Sequence, residues 1–122
     1  MTNTMTEDEE LRYTTAYLAT SNAIGDAIII LKRLEAITFD PDEHAGIVLE
    51  RRTLEDEYAA NERSFQAFHS QGLAMHPPTQ EQVDEIVTIA SSLAQLTQKK
   101  ATFQGVLTLA NSITSEFQAI RG

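Results

Sequence analysis

The chain has 122 residues, 42% of them hydrophobic, with few glycines and prolines, which suits one folded domain with a real core. It has no cysteine, so disulfides, thiolate zinc sites and cysteine nucleophiles are excluded. A formal charge of −9 argues against nucleic-acid binding through phosphates.

Met1 to Glu10 is polar and then acidic. It lacks the basic start and apolar stretch of a secretory signal. The longest unbroken apolar run, Ala27 to Leu31, is far too short to span a bilayer as a helix. A cytoplasmic location is therefore expected, with export by a leaderless route as the alternative. Residues 1–5 read as a disordered tail, and residues 6–122 as a single helical-bundle domain.

Three helix-start signatures follow. Thr6-Glu7-Asp8-Glu9, Asp40-Pro41-Asp42-Glu43 and Thr79-Gln80-Glu81-Gln82 each place a capping side chain three positions before Glu or Gln. The first side chain accepts from an orphan N–H of the new helix, and the fourth reaches back to the cap. Proline at the first helical position of the second box loses no needed donor. The expectation is an all-α, up-down-up bundle of three long helices. The first two form an antiparallel hairpin across Thr38-Phe39-Asp40, and the third, which starts near Gln80, is the longest. Gly72 reads as a residue that closes the second helix, and Pro77-Pro78 cannot continue one.

The first helix has Tyr13, Tyr17, Ile24, Ile28 and Leu31 on one face. Leu11, Leu18 and Ile29 lie well round from it, separated by the small Gly25. Ile28-Ile29-Ile30-Leu31 is apolar almost all round and needs neighbours on more than one side. This helix is either central or an interface. The second helix carries Ile47, Leu54, Tyr58, Phe65 and Phe68 on one stripe, interrupted by Arg51 and Asn61.

The third segment changes face. Val83, Ile86, Ala90 and Leu93 make its first stripe; Phe103, Val106, Ala110, Ile113 and Phe117 make its second. At 100° per residue the two point in roughly opposite directions. The switch falls at Thr97-Gln98-Lys99-Lys100. The helix kinks or breaks there, or its two halves meet different partners.

No constellation carries a reaction. His44 follows Asp40, Asp42 and Glu43, but those residues already serve as cap and first turn. No H-E-x-x-H or E-x-x-H spacing exists for metal. His69 and His76 bracket the end of the second helix. Asp8/Glu9/Glu10, Asp56/Glu57 and Asp84/Glu85 lack a pocket to drive their pKa values apart. Ser91-Ser92 has no G-x-S-x-G elbow and no phosphate loop around it. The doublets Lys32-Arg33, Arg51-Arg52 and Lys99-Lys100 are scattered. Glu7 to Glu10 and Glu81, Asp84 and Glu85 would share one acidic pole, which first-turn dipole complementarity also explains.

The expectation is thus a non-catalytic interaction protein with no cofactor and no metal: an adaptor, secretion chaperone, assembly subunit or inhibitor. It would bind a protein partner or another copy, and no nucleic acid. The expected interface is Leu11, Leu18 and Ile29 with Phe103, Val106, Ile113 and Phe117. The alternative is a soluble component of a membrane-inserting helical complex, using Ala23 to Leu34. Asp26, Lys32 and Arg33 make that insertion costly.

Overall fold

The computed structural model describes residues 6–71, 76–98 and 101–121. The expected tail at 1–5, the closing role of Gly72 and the doublet Lys99-Lys100 lie outside the described residues. The described chain forms four helices: α1 (Glu7–Ile37), α2 (Pro41–Gln71), α3 (Gln80–Leu96) and α4 (Phe103–Arg121). The all-α class holds. The count of three does not, because the long third helix is two.

All three caps form, two of them as the full reciprocal box. Thr6 Oγ1 accepts from Glu9 N at 3.1 Å, and Glu9 Oε1 accepts from Thr6 N at 2.9 Å. Hydrogen bonding from Thr6, its backbone N–H first, holds the Glu9 carboxyl below its ordinary pKa. Thr79 and Gln82 repeat the reciprocal pair. Asp40 Oδ2 accepts from Glu43 N at 3.0 Å and opens α2.

The break expected near 97–100 has its own chemistry. The Thr97 hydroxyl donates to Ala94 O at 2.7 Å, satisfying a terminal carbonyl of α3. Thr102 Oγ1 then accepts from Gly105 N at 3.1 Å and caps α4. α4 packs back on α3.

Two contacts fix the directions. Arg12 Nε donates to Pro78 O and Arg33 Nη1 donates to Thr97 O, each at 2.9 Å. So α3 runs parallel to α1. The Phe117 ring lies 6.1 Å from Tyr13, near the start of α1, and Phe103 lies over Gly46, near the start of α2. So α4 runs antiparallel to α1. The topology is up-down-up-down. α1 is central, touching the other three helices, while α2 and α3 make no contact with each other among the described residues.

The core gathers Tyr13, Ile24 and Leu31 from α1, Ile47 and Leu54 from α2, Ile86 and Leu93 from α3, and Val106, Ile113, Phe117 and Ile120 from α4. The two interruptions of the α2 stripe are polar helix contacts. Arg51 Nε reaches Glu35 of α1 at 2.8 Å and Arg51 Nη1 reaches Glu55 at 2.7 Å. Asn61 is buried, and its Oδ1 accepts from Arg121 Nη1 at 2.8 Å. Tyr58 departs from the expected stripe. It lies on the flank of α2 and is exposed.

Candidate functional site: the outer face of α1

The expected interface falls into two parts in space. Val106, Ile113 and Phe117 are buried in the chain's own core, and Phe103 is half-buried against it. Val106, Ile113 and Phe117 are corrected from interface to core residues, and Phe103 to the edge of that core. The cause is that α4 runs back along α3. Two stripes that face opposite ways on a continuous helix face the same way once the second half turns back. The apolar surface that called for a partner there is covered by α1, α2 and α3.

Leu11, Leu18 and Ile29 behave differently. They are 65%, 51% and 49% exposed and lie on the side of α1 turned away from the core. With Thr15, Asn22 and Gly25 they recur at alternating steps of four and three along a straight line. Opposite that line, Ala16, Thr20, Ala23, Ala27 and Leu31 are buried. Because α2 and α3 do not meet, α1 stands as a ridge between them.

The ridge has a groove along its α2 side that the sequence pattern hid. Gly25, Ile28, Glu55 and Tyr58 line an open groove of about 400 Å³ between α1 and α2. On α3, Val87 is also exposed. Tyr58 shares the spacing of the core stripe but lies at the mouth of this groove, 40% exposed. Gly25 lies inside a long helix, where glycine costs about 1 kcal/mol relative to alanine. A β-carbon there would meet nothing within 4 Å, so the chain's own packing does not require the glycine.

Charge is arranged along the ridge. Glu7, Asp8, Glu9 and Glu10 occupy the first turn of α1; Lys32 and Arg33 are exposed near its end. The parallel run of α3 brings its first-turn Glu81 to the same end as the α1 acids.

The remaining candidates are accounted for locally. His44 Nδ1 lies 3.1 Å from Thr38 O, at the junction of α1 and α2. His69 meets the edge of Phe65 at 4.5 Å. Among the described residues, no group of three or more His, Asp or Glu has a metal-holding arrangement, and no helix is long and apolar enough to cross a membrane. Burial pushes the Tyr13 hydroxyl up to about 12, and its oxygen is enclosed with no hydrogen-bond partner among the described residues. That is a core tyrosine rather than an acid or base with access to substrate. Ile37 and Phe39 form a smaller exposed apolar tip at the α1–α2 turn.

Compared with known proteins, the chain matches no family model, no curated sequence and no solved structure.

Proposed function

We propose that this chain is a non-catalytic protein-interaction module whose docking surface is the outer face of α1. The observation that carries the reading is the line Leu11, Leu18 and Ile29, each about half exposed or more and directly opposite the core. Scattered exposed apolar side chains are ordinary on a soluble surface. A straight line of them along one helix, with a groove beside it, is the pattern a partner helix reads. An adaptor, chaperone, assembly subunit or inhibitor would each use such a face.

The membrane-inserting alternative draws less support. Of its segment, Ala23, Ile24, Ala27, Ile30 and Leu31 are buried at the centre of the bundle. Exposing them would mean separating α1 from all three neighbours.

The test is a photo-crosslinking residue placed at position 18 in the full chain and expressed in the native cell. A protein adduct from position 18, absent from the exposed position of Leu49 on α2, is expected. Equal labelling at both positions, or none at either, would sink the reading.

A further inference from the structure

We infer that the occupant of this face is a second copy of the same chain, its α1 lying antiparallel to the first about a two-fold axis level with Thr20. The inference rests on the reading of α1 as an interface and names its partner.

The sequence of the ridge is complementary to itself when reversed. With the two-fold axis at the height of Thr20, Leu11 of one copy meets Ile29 of the other, Thr15 meets Gly25, and Leu18 meets Asn22. Every position of the line falls opposite another position of the line. Large apolar side chains meet at the two outer layers. Further in, threonine faces glycine, and Leu18 packs beside the shorter Asn22. A lone amide in such a seam costs stability but favours one register over its neighbours. The alternating steps of four and three are the layer spacing of paired helices with a 3.5-residue repeat.

Charge selects the same register. It sets Glu7 and Asp8 of one copy level with Arg33 and Lys32 of the other, at both ends of the contact. Arg33 donates one hydrogen bond to Thr97 O and remains exposed. A parallel pairing would instead stack the four first-turn acids of α1 on their own copies. Like charges so placed disfavour that arrangement.

Gly25 supplies an independent reason. Nothing among the described residues occupies the space above it. In the antiparallel register it faces Thr15 of the other copy, within a contact about 40 Å long. A small residue there lets the two backbones approach, which offsets its helix cost. The symmetry is that of a closed isologous dimer, so assembly stops at two.

Disulfide mapping tests the register, because the native chain has no cysteine to confuse it. Leu11→Cys and Ile29→Cys are made separately in the full chain; both positions are exposed, and circular dichroism checks that the fold is kept. Mixed and oxidised, the two variants are expected to cross-link to each other, while neither links appreciably to itself. Leu18→Glu should weaken dimerisation at least tenfold in sedimentation velocity. Asp8→Lys should also weaken it, and adding Lys32→Glu in the same chain should restore it. Self-linking of Leu11→Cys would overturn the antiparallel register. A native chain that sediments as a monomer at about 100 μM, well above the dissociation constants of modest interfaces, would overturn the second-copy assignment. If that monomer still yields an adduct from position 18 to a different protein in cells, the interaction reading stands without the dimer. If position 18 is silent as well, both fall.

Discussion

Phe65 and Phe117 show how position, not residue type, sets the energetic weight of a ring. Phe65 stacks on Tyr17 with centroids 4.0 Å apart and planes within 1°, but it remains half-buried at the edge of the core. Phe117 is fully buried, with Tyr13 at 6.1 Å and Tyr17 at 6.3 Å. Phe117→Ala leaves a closed cavity and should cost about 3–5 kcal/mol. Phe65→Ala opens onto solvent and should cost less, about 2 kcal/mol on the same scale. Urea denaturation of both variants checks the ordering; equal losses would mean that Phe65 is as enclosed as Phe117. The core role of Phe65 was legible from the spacing of the α2 stripe. Its half-exposure was not, since it depends on how the neighbouring helices pack around it.

At the scale of elements, α3 and α4 carry the main correction. A chain read as one helix of two faces is a hairpin of one face. Ile86 on α3 and Ile113 on α4 are both buried. A charge at either enters a closed apolar layer, where it has no partner. Ile86→Glu and Ile113→Glu should therefore both lose the cooperative thermal transition seen by circular dichroism. Retention of the fold by Ile113→Glu would return α4 to the surface. Thr79 announced its helix by a reciprocal box with Gln82, whereas Thr102 caps α4 with Gly105 in the fourth place. Glycine offers no side chain to reach back, so the second half of the box is missing and the cap looks like an ordinary threonine.

Across the whole bundle, the carboxylates divide into two groups with opposite pH effects. Glu9 and Glu35 have pKa values lowered on folding, the first by hydrogen bonds from Thr6 and the second by the hydrogen bond from Arg51. Their contribution is present above their unfolded pKa and is lost as pH falls through the folded value. Glu50 and Asp26 have values raised by burial. They oppose folding once ionised, and the penalty grows as pH rises from the unfolded toward the folded value. Glu50 Oε1 is buried without a hydrogen-bond partner among the described residues. Glu50→Gln should therefore raise the melting temperature at about pH 7, with the gain fading by about pH 3.5, where the native side chain is protonated folded or unfolded. Melting curves across that range check it. A gain of the same size at both ends would assign the effect to packing rather than ionisation.

Whatever depends on near neighbours along the chain could be read before any folding. Thr6, Asp40 and Thr79 open their helices because a cap needs only a side chain and an N–H three residues away. Ile47 and Leu54, or Ile86 and Leu93, share a face because the helical repeat puts them there. The outer line of Leu11, Leu18 and Ile29 was visible for the same reason, as a second apolar stripe on α1. Which stripe goes inside is settled only when the helices meet. The return of α4 along α3 brings Val106, Ile113 and Phe117 onto the same core as Ile86 and Leu93. Burying both stripes against α1 removes more apolar surface from water than a continuous helix could, and that gain is summed over residues far apart in sequence. With that side of α1 occupied, Leu11, Leu18 and Ile29 are left facing out.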